Sequence, residues 1–389
     1  MTKKWSSRLT FFAFVVLMVG LGSNDSLRGI FSTIFQEHFS LTTTQLGLIV
    51  TASYIGNLVF LLVGGNLSTR FSKKRVLQVL ILIWMAALAL FAFTSNYTVL
   101  LIGMALALGS STLLNTTMNL ITPLLFATAP GFFVNFLFFT QEIGTSGSQY
   151  ILGSHADGFA FWQHTNLVLL ILGAVAFVLL LFCNVPEEAA APADAPAQKG
   201  GYDWRIIVPY VLVFGFYFIA EHGVMNWMVA YGVDGLGLPQ ASAAKSLSVF
   251  FGGMMIGRLC LSPLVDKLGA LKSLAAFGGV SCVLYLIGSL GGAVTMPVWA
   301  ISGLSFSILY PTLVMSIRLY FPAQQVSGAA GTILSIASLA DILFNVGFGK
   351  LVDMTGYAVS IRVLPLSALA FFIVFILFTK FCKPTQKLK

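Results

Sequence analysis

Long apolar runs recur along this chain at approximately 9–35, 44–69, 75–94, 98–127, 131–153 and 165–184, and again at 204–231, 243–266, 271–290, 294–320, 328–350 and 358–380. A helix crosses the roughly 30 Å hydrocarbon layer in about 20 apolar residues, so each run is long enough to span a membrane. Backbone groups in lipid must be satisfied within the segment or in a closed barrel, and unbroken apolar runs without two-residue alternation select the helix. With 58% hydrophobic and only 9% charged residues among 389, the chain cannot build a water-facing surface. The expected class is an all-α membrane protein with 12 transmembrane helices.

Charge placement gives the orientation. Of the 21 Lys and Arg, three (Lys245, Lys350, Arg362) fall on one side, two (Arg28, Arg258) fall inside spans, and the remaining sixteen fall on the other side. Basic residues concentrate in cytoplasmic loops, which puts both termini in the cytoplasm of a bacterial-type cytoplasmic (inner) membrane. The net charge of +8 thus reports topology and lipid, and gives no reason to invoke nucleic acid. Lys3, Lys4 and Arg8 precede an apolar run too long for a signal peptide, so that run is read as a retained first span. Cys183, Cys260, Cys282 and Cys382 show no paired or metal-like spacing and are read as reduced packing residues.

The runs fall into six plus six, separated by a Pro-, Ala- and Gly-rich stretch that cannot bury a core. The expected organisation is an N-terminal bundle at 1–184, a cytoplasmic linker at 185–203 and a C-terminal bundle at 204–389. A short basic turn at 65–74, with Thr69, Arg70 and Lys73, follows the second run; a counterpart at 262–272, with Asp266 and Lys267, follows the eighth. These turns resemble the loop between spans 2 and 3 of the major facilitator superfamily and its copy between spans 8 and 9. The resemblance implies the major facilitator fold, two six-helix bundles with a substrate site near mid-membrane, and a gating role for Arg70, Lys73, Asp266 and Lys267. Thr69 stands where that family carries an acid. Taken singly, a basic turn after a span is also an ordinary orientation signal.

Four carboxylates lie well inside the spans: Asp25, Glu142, Glu221 and Asp341. Each would cost about 2.5–3.5 kcal/mol facing lipid at a span centre, so all four are expected to face a cavity and to serve proton coupling. They repeat between halves, on spans 1 and 7 and on spans 5 and 11. Asp25 and Arg28 share a helix face and could instead neutralise each other. Arg258 is expected to snorkel or to pair with Asp266. Uncharged polar groups gather on the same or neighbouring spans: Asn24, Asn115, Asn119, Gln141, His222, Asn226, Trp227, Tyr310 and Asn345. With Arg28 they form the expected substrate-binding set, since amide, indole and phenol groups suit a polyol; any one Asn could also be interhelical glue. Pro123, Pro311 and the pair Gly144 and Gly147 are expected to let helices bend.

More specific segments resemble the fucose-galactose-glucose:proton symporter branch of that superfamily. They are Gly303 to Thr312 with its Tyr310-Pro311-Thr312, Asn24 with Asp25, Glu221 followed six residues later by Trp227, and Leu114 to Asn119. In the branch, a glutamate stands at the position of Asn115 and a sugar-contacting glutamine at that of Phe138. The resemblance implies proton-coupled symport of a small polar solute, a sugar or sugar derivative, by alternating access; a monomer is the default expectation, since the sequence shows no oligomer contact. The alternative carried alongside is proton-antiport efflux of an amphiphilic or cationic compound, for which 35 Phe and 12 Met would supply a permissive lining. A membrane sensor on the same scaffold is a third possibility, without an appended signalling domain to support it. No Walker sequence or zinc-type spacing is present, and His38, His155, His164 and His222 are scattered, so neither an enzyme nor a cofactor is expected.

Overall fold

In the computed structural model, residues 3–126, 130–186 and 202–384 are described, and all regular structure among them is helical. The first half holds α1 (Lys3–Ile30), interrupted at Phe31 before α2 (Ser32–Phe39), then α3 (Thr43–Arg70), α4 (Lys73–Phe93), α5 (Tyr97–Leu125), α6 (Pro130–Ile151) and α7 (Phe159–Phe182). The second holds α8 (Trp204–Ala230), closed by a π-helical turn at Tyr231–Gly235, then α9 (Gln240–Leu268) and α10 (Ala270–Leu290). The tenth span follows as α11 (Met296–Ile301), α12 (Gly303–Phe306) and α13 (Leu309–Ser316), before α14 (Ala323–Thr355), α15 (Tyr357–Ser360) and α16 (Val363–Phe381). Eleven segments among the described residues are long and apolar enough to cross a membrane. The 22 residues of α6 extend about 33 Å and make the twelfth membrane-length helix.

The outer faces explain the composition. On α7, Val168, Ile171, Val175 and Val178 are all exposed and recur at helical spacing, an apolar stripe suited only to lipid. Polar residues punctuate the helix ends: the side chains of Ser72, Asn96 and Asp203 accept from the backbone N–H of Arg75, Val99 and Arg205, capping α4, α5 and α8. Gly269, at φ +81°, turns α9 into α10, a backbone conformation that side chains disfavour. In the basic turn after α3, Lys74 Nζ donates to the carbonyls of Leu181 (3.0 Å) and Cys183 (2.7 Å), placing its charge at the C-terminal end of α7.

The chain divides into two compact units, Met1–Leu41 with Leu48–Gln198, and Thr42–Gly47 with Lys199–Lys389. In the second unit the Asp353 carboxylate accepts from the backbone N–H groups of Thr43 and Thr44, both at 2.7 Å, and from the Thr44 hydroxyl at 2.5 Å. An acid of α14 therefore satisfies the open donors at the start of α3.

The tenth run forms one membrane-length segment, Met296–Leu319, whose helix is interrupted where hydroxyls take backbone carbonyls three residues back: Ser302 to Trp299, Ser305 to Ser302 and Ser307 to Leu304. Gly303 sits so close to α9 that a Cβ would meet the carbonyl oxygen of Phe250. Gly144 lies inside the continuous helix α6 and serves a close helix contact. The side chain of Pro123 and most of the linker, 187–201, lie outside the described residues.

Candidate functional site

In the first unit the polar groups are assembled by the packing of α1 on α6. A Cβ at Gly22 would lie 2.0 Å from the carbonyl oxygen of Gln141, and one at Gly144 would lie 2.1 Å from that of Val19. Only glycine permits this approach. The hydroxyls of Ser23 and Thr145 tie the contact by donating to the carbonyls of Gly144 (3.3 Å) and Gly22 (3.2 Å). The turn carrying Asn24 and Asp25 is thereby set against the turn carrying Gln141 and the half-buried Glu142.

Asp25 receives one hydrogen bond, from the Ser111 hydroxyl to Oδ2 at 3.0 Å; its Oδ1 is buried with no partner. Arg28 acts on Asp25 electrostatically, without a hydrogen bond between them. Its guanidinium lies 5.8 Å from the centre of the Tyr54 ring, and its buried Nε has no acceptor. Asn24 accepts from the Trp84 indole at 3.2 Å. The amides form a chain in which Asn119 donates to Asn115 (2.6 Å) and Asn115 to Gln141 (2.7 Å). Phe138, at the position of the branch's glutamine, is exposed and stands apart from this chain, whose α6 member is Gln141.

In the second unit α8 faces α14. His222 Nδ1 and Asp341 Oδ2 are 2.7 Å apart, and the buried Asp341 Oδ1 has no partner. The acid is 2% exposed and the imidazole 25% exposed, so the histidine is the accessible end of the pair. Phe218 stacks on the ring of His222, with centroids 5.2 Å apart. One turn further along, the Trp227 indole donates to Asn345 (2.8 Å), whose own amide donates to the backbone of Asp341 (2.8 Å). Asn226 is buried beside Trp227. Glu221 lies within electrostatic reach of Tyr217, Tyr285 and Tyr310. Arg258 acts electrostatically on Tyr217 and Tyr310, the tyrosines around Glu221.

Several participants escaped the sequence reading. Ser111 and Trp84 hold Asp25 and Asn24. Gln149 is fully buried with neither end of its amide partnered. Spacing offered a signal for two of them: 111, 115 and 119 share one face of α5, and 141, 145 and 149 share one face of α6. Of the gating set, Lys73 is buried and Lys267 exposed, while the side chains of Arg70 and Asp266 lie outside the described residues. Among the described residues no group of three or more His, Cys, Asp or Glu could hold a metal ion.

Comparison with known proteins places these features in a lineage. The L-fucose-proton symporter of Escherichia coli (strain K12) is 23% identical over 333 residues, 74% of this chain and 75% of that protein. The hexuronate transporter of Bacillus subtilis (strain 168) is 26% identical over 369 residues, covering 85% and 84%. A crystal structure of a D-xylose-proton symporter superposes with a TM-score of 0.79 over 97% of this chain and 98% of that one, at 16% identity, a likeness of fold. The sequence profile of the Major Facilitator Superfamily matches residues 10–343. The chain belongs to the Major Facilitator Superfamily and is a multi-pass membrane transporter rather than an enzyme.

Proposed function

We propose that this protein is a proton-coupled symporter that takes up a sugar or sugar derivative by alternating access of its two units. It would sit in a bacterial-type cytoplasmic membrane with both termini in the cytoplasm, the orientation its basic residues favour. Relatives that carry fucose with a proton, or hexuronate, support the solute class.

The observation that carries the reading is the state of Asp25. Its carboxylate lies in a membrane-spanning helix, held by one serine hydroxyl, with its second oxygen buried and unpartnered. A carboxylate in such a place that is not locked in a direct ion pair can take up and release a proton as access alternates. The pair His222 and Asp341 is a second proton-exchanging group, with the imidazole as its reachable end. Asn24, the amide chain, Trp227 and Tyr310 supply the donors, acceptors and aromatic faces that sugars need.

The test uses purified protein in proteoliposomes with a panel of labelled sugars and sugar acids. Asp25→Asn abolishes accumulation driven by a pH gradient while counterflow exchange continues. Accumulation at the wild-type level in this variant removes Asp25 from the coupling step.

A further inference from the structure

Among the described residues, Arg28 is a buried charge whose Nε has no acceptor. It lies on the last turn of a membrane-spanning helix and is 6% exposed. A guanidinium presents five N–H donors in a planar fork and cannot lose its charge, so a buried one requires acceptors. Three ordinary explanations leave its donors short of acceptors. Asp25 is near and balances the charge, but no hydrogen bond joins the two, and Asp25 Oδ1 stays without a partner. Tyr54 offers the face of one ring at 5.8 Å, which attracts the charge but accepts nothing in the plane of the fork. A free helix end could welcome a cation, but the backbone ladder continues into α2, with Phe31 N bonded to Leu27 O and Phe35 N to Phe31 O, both at 2.9 Å.

We infer that Arg28 receives a carboxylate of the transported solute, so that the substrate is a sugar acid such as a hexuronate rather than a neutral hexose. This rests on the sugar-symport reading and narrows it. A carboxylate matches the guanidinium fork with two parallel hydrogen bonds, the geometry that Tyr54 and Asp25 leave unfilled. Ser111 and the amide chain of Asn119, Asn115 and Gln141 belong to the same unit and suit the hydroxyls of the sugar.

The pairing also supplies a coupling rule. Without substrate, Arg28 offsets the charge of Asp25. A bound anion occupies that positive charge, and a proton on Asp25 restores neutrality before the site crosses the membrane. Glu142 on α6 is the other acid of this unit's site; α5 carries no charged residue, and α7 carries only the exposed His164 in its first turns. One proton with one monoanion moves no net charge, whereas one proton with a neutral sugar moves one.

The experiment compares D-galacturonate and D-glucuronate with D-galactose and D-glucose, using thermal shift on purified protein, labelled uptake under a pH gradient and current on a solid-supported membrane. The acids should raise the melting temperature, accumulate without current, and bind at least about 10-fold more tightly than the neutral sugars. Arg28→Gln should weaken acid binding by about 30-fold or more, with Arg28→Lys intermediate. The ligand-free melting temperature of Arg28→Gln should hold or rise, because an under-satisfied buried charge has been removed. A fall in that temperature marks Arg28 as a structural residue and overturns the inference. Electrogenic uptake of the neutral sugars without preference for the acids also overturns it while leaving sugar symport standing, and this readout needs no variant. Failure of all four solutes overturns the sugar-acid inference, and failure of the wider sugar panel overturns sugar symport as well.

Discussion

Each unit holds an intramembrane acid with one side-chain partner, Asp25 on the first span and Asp341 on the eleventh, and the partners differ. In the second, Asp341 is engaged by His222 at 2.7 Å, and Asn345 ties its backbone to Trp227, so the group is wired before any solute arrives. In the first, Asp25 has a single serine, and Arg28 lies against a tyrosine ring with its Nε unpartnered. Each acid leaves its Oδ1 without a partner, so the contrast lies in the partner at Oδ2: a serine hydroxyl leaves Asp25 the freer to exchange partners, and an imidazole holds Asp341 the more firmly.

The helix contacts beneath these sites differ in the same sense, and this contrast gives the largest expected effect. Gly22 and Gly144 bring α1 and α6 together backbone to backbone, whereas a Cβ at Gly215 of α8 would meet only Ala340 of α14, at 3.4 Å. Gly22→Ala and Gly144→Ala should each destabilise by about 3 kcal/mol or more, since a backbone carbonyl cannot move aside as a side chain does. Gly215→Ala should be neutral or gain about 0.5–1 kcal/mol from helix propensity. Melting temperatures of the purified variants decide. Tolerance of alanine at Gly22 would show that α1 and α6 are not held in this contact.

How much of this was readable beforehand follows from the solvent. Apolar runs marked the spans, and charges marked the turns, because lipid excludes both charge and open backbone. The rotation of each helix about its axis was not readable, because lipid and protein interior are equally apolar and no polar face marks the outside. Hence neither the close contact at Gly144 nor the reach of Arg258 to the tyrosines around Glu221 was visible in the sequence. The breaks in the tenth span were likewise hidden, since Ser302 and Ser307 look like any small residues until their hydroxyls are seen on backbone carbonyls. The inward placing of Asp25, Asn115 and Gln141 was legible, because groups that lipid rejects must find one another.

A double-mutant cycle in each unit sharpens the contrast between a wired and an unwired acid. His222→Gln with Asp341→Asn should show a coupling of about 2 kcal/mol in unfolding free energy, as befits groups in direct contact. Asp25→Asn with Arg28→Gln should show less than about 1 kcal/mol, because no hydrogen bond joins that pair. Equal couplings would mean that Asp25 and Arg28 close on each other in the membrane. The case for Arg28 as a substrate anchor would then lose its footing.

The smallest expected effect separates the two tryptophans. Trp84 and Trp227 are both fully buried and each donates to an asparagine, Asn24 at 3.2 Å and Asn345 at 2.8 Å. Replacement by Phe removes the same ring area and the same donor in both. Asn345 is completely buried, while Asn24 keeps 5% of its surface exposed. The orphaned oxygen of Asn345 is therefore the costlier one, and Trp227→Phe should exceed Trp84→Phe by about 0.5–1 kcal/mol. Adding Asn345→Leu to Trp227→Phe should recover part of that loss, since removing both partners leaves nothing unsatisfied at that bond. A larger loss for Trp84→Phe would reverse the assignment of the fixed and the open site, because it would show that the hydrogen bond to Asn24, not the one to Asn345, carries the structure.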